Sequence, residues 1–140
     1  MMFKTILIAV DMSVPADADR LLQAAKSLTA GWEANLHVIS VVPTVGMPIV
    51  GSFFGEDFES ESQTAAANLL ETAVDKADLD ASRHVAIGKV YDCIIGKATD
   101  LRADLILVGA HQPELSDFLL GSNAARVVRH SKASVLVLRD

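Results

Sequence analysis

The chain has 140 residues, 51% hydrophobic but only 5% aromatic, with a net charge of −6 and a pI near 5.1. This length suits one domain over residues 1–140 with an aliphatic core, and the acidity argues against a nucleic-acid or anionic-membrane surface. No apolar run approaches the roughly 20 residues of a membrane span; the single Cys93 allows no internal disulfide, and the start lacks a signal-peptide pattern, so a cytoplasmic protein is expected.

Thr5–Val10 (TILIAV) reads as a first buried strand, apolar on both faces. Asp11-Met12-Ser13 ends it, with Ser13 as a helix cap and Pro15 in the first turn. Leu21, Leu22, Ala25 and Leu28 form that helix's apolar stripe, and Gly31 follows its end. Asn35–Val42 is a second strand, closed by Pro43. From there to Asp57, Gly46, Pro48, Gly51 and Gly55 interrupt any period, and the spacing predicts a loop. Its apolar residues (among them Ile49, Phe53 and Phe54) suit either a lid over a ligand or a surface for a second subunit. Glu59–Ala77 is a second helix with a stripe that includes Leu69, Leu70, Ala73 and Val74. Arg83–Ile87, ended by Gly88, is a third strand, and Tyr91–Leu101 a third helix. Leu105–Val108 is a fourth strand, stopped at Gly109 and followed by an excursion to Gly121. Ser122–His130 is a fourth helix, capped by Ser122 or Asn123, and Ser134–Leu138 a fifth strand.

Strict alternation of this kind implies an α/β fold: one doubly wound parallel five-stranded sheet with right-handed crossovers and four helices on two faces. Ligands of such sheets bind outside the carboxyl ends of the strands, where strand order reverses. The amide groups that open the helix after Gly121 offer a cradle for phosphate, and Ser122 adds a hydroxyl. The same glycines also serve as ordinary turn residues. Asp11 could accept a ribose or base hydrogen bond or hold Mg²⁺, or could close an Asx turn. His37 interrupts an apolar strand and suits a hydrogen-bonded core histidine better than a metal ligand; His111, in the excursion, is placed for a polar contact to a ligand. His37, His84, His111 and His130 show no metal-ligand spacing, and Cys93 suits a buried inert thiol. No nucleophile motif, and no pair of carboxylates with catalytic spacing, stands out.

TILIAVDMS, LHVISVVP, Gly88-Lys89-Val90 and the tail from LILVGAHQ to VLVLRD together resemble the universal stress protein family over the whole chain. The family's nucleotide binders carry G-x₂-G-x₉-G-[ST] after the fourth strand; Gly109 and Gly121-Ser122 match its outer parts, while Gln112 stands at the second glycine and the following gap is one residue shorter. The form H-x-P…LLGSN-A-A-x-V-V-R-H looks like the bacterial F/G-like branch. The resemblance implies a Rossmann-like fold of the adenine-nucleotide alpha-hydrolase type, with strand order 3-2-1-4-5. It implies an ATP (or AMP/ADP) site, with Mg²⁺ accompanying the ATP and no metal ligated by side chains alone. Ala9, Val10 and Asp11 would border adenine and ribose, and Val38 would meet the adenine edge through its backbone. Gly109, Ala110, His111 and Gln112 would line the ribose and α-phosphate, and Gly121, Ser122 and Asn123 the outer phosphates. It also implies a homodimer joined through Ser134–Leu138, an edge strand otherwise unguarded by charge. The expected function is a nucleotide-dependent binder in the stress response. A slow ATPase or phosphotransfer enzyme, or a nucleotide-free dimeric module, stand as alternatives; the SGGxDS loop of ATP pyrophosphatases and the HIGH pair of nucleotidyl transferases are absent from the sequence.

Overall fold

The computed structural model describes residues 3–43, 48–110 and 120–139, with only the backbone between 48 and 59. Nine elements alternate along it: β1 (Thr5–Val10), α1 (Pro15–Thr29), β2 (Asn35–Pro43), α2 (Pro48–Lys76), β3 (Ser82–Gly88), α3 (Val90–Leu101), β4 (Leu105–Gly109), α4 (Ser122–His130) and β5 (Ser134–Leu138). The five strands lie in one sheet in the order β3-β2-β1-β4-β5, every neighbouring pair parallel. This is the topology that the family resemblance implied.

The strand sequences explain the layering. In β1, successive residues point to opposite faces, and both faces are covered. Ile6, Ile8 and Val10 join Val38, Leu105 and Leu107 beneath Leu21, Leu22 and Ala25 of α1 and Leu70, Ala73 and Val74 of α2. Leu7 faces the other way, with Ile39, Ile106 and Val108, beneath Ile94 and Ala98 of α3 and Ala124 and Val127 of α4. Ile6, Leu7 and Ile8 are fully buried, each contributing about 1.5–3 kcal/mol of hydrophobic burial. A run apolar at every position is therefore what a central parallel strand requires.

The structure corrects the sequence reading in four places. α2 opens at Pro48, not after Asp57, so most of the expected loop is helical. Proline is tolerated at a helix's first position, and Gly51 and Gly55 keep their N–H groups, so the ladder of helical hydrogen bonds passes through them at a cost of about 1 kcal/mol each. The remaining loop residues, 44–47, and the side chains of 48–59 lie outside the described residues. The N-cap of α1 is Val14 and not Ser13, because the Ser13 amide and hydroxyl are engaged by Asp11. Gly121, and neither Ser122 nor Asn123, is the N-cap of α4. Leu69 is 55% exposed and stands on the outer side of α2. At the other end of α1 the sequence reading holds: Gly31 follows the C-cap with φ +83°, a left-handed conformation that suits glycine.

Candidate functional site

Strand order reverses between β1 and β4. After β1 the chain crosses toward β2, and after β4 toward β5 on the other side, so the two departing loops separate and leave a crevice above the strand tips. Ala9 pairs with Val108, which sets Val10 beside Gly109 at the next level and Asp11 at the lip. Asp11 is exposed. Its Oδ1 accepts hydrogen bonds from the Ser13 amide (2.9 Å) and hydroxyl (2.6 Å), and its carbonyl accepts one from the Val14 amide at 3.2 Å. The Asx turn is therefore present. Among the described residues Oδ2 makes no hydrogen bond and remains an acceptor at the lip.

Across from it, the Ala110 amide donates to the Leu138 carbonyl at 3.0 Å, which extends the β4–β5 ladder by one step. The Ala110 carbonyl then accepts from the Gly121 amide at 3.3 Å. Gly121 thus stands at the tip of β4, and α4 begins there. Gly121 is buried with φ −57° and ψ 151°, and its carbonyl accepts the first helical bond, from Ala125 at 2.9 Å. Because the Gly121 amide is already engaged, the donors that α4 can offer lie beyond it in the first turn.

Ala9, Val10, Asp11, Gly109, Ala110, Gly121, Ser122 and Asn123 thus gather at the tips of β1 and β4 and the start of α4. Val38 is set apart. It is fully buried in mid-strand, paired with Ile8 on one side and Arg83 on the other; Ser40 is the β2 residue level with Val10. His111 and Gln112 lie outside the described residues. Gly109 and Ala110 border a cavity of about 480 Å³ walled by α1 and Leu138. Asn123 borders a second, of about 500 Å³, between α3 and α4. Both volumes fall in the range of small-molecule sites.

His37, His84 and Cys93 are titratable groups whose surroundings shift them. His37 Nδ1 and His84 Nε2 are 3.0 Å apart across β2 and β3, with the rings stacked. His37 is thereby a hydrogen-bonded histidine, and its partner is one that spacing along the chain does not disclose. Burial and the Lys97 ammonium push both rings below the ordinary histidine value, and His37 adds to the effect on His84. Burial, with Asp92 beside it, pushes the Cys93 thiol up, which leaves it an inert thiol. No group of three or more metal-ligating side chains occurs among the described residues.

These features can be set beside known proteins. The universal stress protein family model matches residues 2–139. Universal stress protein G of Salmonella typhimurium is 34% identical, over 99% of this chain and all of its own length. Universal stress protein A homolog 1 of Coxiella burnetii is 28% identical, over 99% of this chain and 97% of its own. Among solved structures, hypothetical protein MJ0577 superposes with a TM-score of 0.79 over the whole chain and 98% of its own, at 23% identity. A universal stress protein in complex with cAMP superposes with a TM-score of 0.67 over 98% of this chain and 97% of its own, also at 23% identity. The solved structures share the fold, and the full-length sequence match adds the lineage: this chain belongs to the universal stress protein family.

Proposed function

We propose that this protein is an adenine-nucleotide-binding, homodimeric stress-response module, one domain over residues 1–140, that acts in the cytoplasm as a binder and not primarily as an enzyme. One observation carries the nucleotide reading: the Gly121–Ala110 hydrogen bond holds the start of α4 at the tip of β4, beside the tip of β1. A phosphate there meets the N-terminal amides of a nine-residue helix and the positive end of its dipole. Gly109 and Gly121 carry no side chain that would hold it off, and Ser122 and Asn123 supply further donors. Asp11, with Oδ2 open to the crevice, accepts from the ribose, while Ala9, Val10 and the strand that carries Val38 flank the base. His111 and Gln112 complete the ribose and α-phosphate contacts in this reading. The relative crystallised with cAMP supports an adenine nucleotide as the ligand class. ATP, with Mg²⁺ coordinated by its own phosphates, is the form proposed.

The dimer reading rests on β5. It pairs with β4 on one side only and ends the sheet, and Val135, Leu136, Val137 and Leu138 are each only half-buried. A second copy of the same strand would pair with that edge and cover those side chains.

Native mass spectrometry of the freshly purified protein tests both claims together. The expected result is a species of twice the chain mass that carries adenine nucleotide. A monomer would remove the dimer claim. Failure of nucleotide-stripped protein to bind ATP or AMP in a calorimetric titration would remove the nucleotide claim.

A further inference from the structure

Several basic side chains of the described residues are paired with carboxylates. Arg20 pairs with Asp17, Lys26 with Asp78, Lys76 with Asp19, and Arg83 with both Glu71 and Asp75. Lys89, Arg126 and His130 make no such pair among the described residues, yet they converge on one groove of about 500 Å³. Its walls are the ends of β2 and β3, the start of α3 and one side of α4. Among the described residues no carboxylate lines it, in a chain with 18 Asp and Glu against 12 Lys and Arg.

The wall is also ordered. Arg126 and His130 are one helical turn apart and project from the same side of α4. The Arg126 guanidinium lies 5.0 Å from the centroid of the Tyr91 ring, and the His130 ring is tilted against the same tyrosine at 6.5 Å. A guanidinium held over an aromatic ring loses less freedom when it binds a planar or tetrahedral anion. Cationic groups gathered without a counter-charge repel one another, and an entering anion relieves that repulsion.

We infer that this groove binds a phosphate group, as a phosphomonoester or diphosphate. Arg126 is the bidentate donor, Lys89 the point charge, and His130, Asn123 and the Tyr91 hydroxyl further donors. The inference does not depend on the nucleotide reading above. The phosphate has two potential sources: the outer phosphates of a nucleotide seated at the β1–β4 crevice, reached through Asn123, or a separate phosphorylated small molecule.

The test is a calorimetric titration of the intact protein with sodium pyrophosphate at low ionic strength. It is repeated on the Lys89→Ala/Arg126→Ala double variant and on Lys132→Ala, which removes an exposed charge elsewhere. Saturable binding is expected, weaker by about tenfold or more in the double variant and unchanged in Lys132→Ala. The single variants Lys89→Gln and Arg126→Gln take its place should the double variant fail to fold by circular dichroism. No binding of pyrophosphate, equal binding by the double variant, or equal loss in Lys132→Ala overturns the proposal. Saturation with ATP before the titration separates the sources. Pyrophosphate excluded by ATP, together with weakened ATP but unchanged adenosine affinity in the double variant, identifies the nucleotide's own phosphates. Simultaneous binding identifies a separate ligand. Pyrophosphate binding by a protein that takes no adenine nucleotide would sink the nucleotide reading and leave the groove standing.

Discussion

The two ends of the sheet are built differently. At the amino end the strands are tied to one another. The Asp104 carboxylate accepts the Lys4 amide at 2.9 Å and the Thr5 amide at 3.0 Å. The Asp104 amide donates to the Thr5 carbonyl (2.9 Å), the Asn35 amide to the Lys4 carbonyl (2.8 Å) and the Ser134 amide to the Asp104 carbonyl (3.3 Å). One carboxylate thus fastens the start of β4 to β1, and its backbone carries the link on to β5. At the carboxyl end the bonds mostly stay within a loop or run to an adjacent strand tip: Ser13 to Asp11, Ala110 to Leu138, Gly121 to Ala110. Gly88 and Gly109 end strands there. Register is secured at one end, which frees the other to present exposed backbone to a ligand.

The largest effect is expected from cutting the tied end. Asp104→Ala leaves two strand-start amides without their acceptor and should cost about 1–3 kcal/mol in a urea titration. A loss below ~0.5 kcal/mol would mean that water replaces the carboxylate and that the two ends differ less than their bonds suggest. Burial is the largest single influence and disfavours the Asp104 anion, but the Lys4, Thr5 and Asp104 amides and the Lys4 charge together outweigh it and hold the carboxyl below its usual value. The folded form therefore favours the ionised group. Its contribution is present above the unfolded carboxylate value, near ~4, and is lost as pH falls through the folded one.

A smaller effect is expected at the open end. Gly88 ends β3 with φ +149°, a conformation that side chains rarely adopt, and an added Cβ would stand 3.0 Å from Cys93 Sγ. Gly88→Ala should cost about 1–2 kcal/mol. Adding Cys93→Ala should recover the steric part and leave the backbone strain. Full recovery would assign the whole cost to the sulfur.

The histidine pair should give a smaller, pH-dependent effect. Both folded values are lowered, so the unfolded chain binds more protons, and stability should decline as pH falls through and below ~6.5. The 3.0 Å ring–ring bond needs at least one neutral imidazole, which acts in the same direction. Urea midpoints measured from neutral to mildly acidic pH should show this slope, and His84→Gln should flatten it. An unchanged slope in the variant would place its origin elsewhere.

The sequence disclosed the elements whose pattern has one physical solution. β1 is apolar from Ile6 to Val10 and β4 from Leu105 to Val108, as strands covered on both faces are; α4 and β5 were bounded by Gly121, Ser122 and Ser134. Strand order came from resemblance, since alternation alone allows several. Three features were not legible. Pro48 and two glycines look like loop punctuation, yet only an interior proline breaks a helix. His37 and His84 are far apart in the chain and meet only through the β2–β3 register. Asp104 carries no signal in the sequence, because its role depends on Lys4 arriving alongside. At the candidate site, the placing of Gly109 and Asp11 at strand ends and of Gly121 before a helix was legible from the element boundaries, while turn chemistry alone explains the same residues. Lys89, Tyr91 and Arg126 were passed over because their convergence needs α3 and α4 side by side.

The smallest stability effect makes the sharpest test. Gly109 ends β4 at the floor of the proposed crevice; an added Cβ there meets nothing within 4 Å among the described residues, and its φ lies outside the left-handed region. Gly109→Ala should therefore leave stability within ~0.5 kcal/mol of the parent. If a nucleotide approaches this backbone, the methyl group occupies the approach, and affinity for ATP should fall by about tenfold or more, since a clash or displacement there costs about 1–3 kcal/mol. A residue selected only for the turn would show the opposite pattern, with lost stability and unchanged affinity. Unchanged stability with unchanged affinity would mean that the phosphates lie away from the β4 tip, and the contrast between a tied end and a ligand-bearing end would lose its functional half.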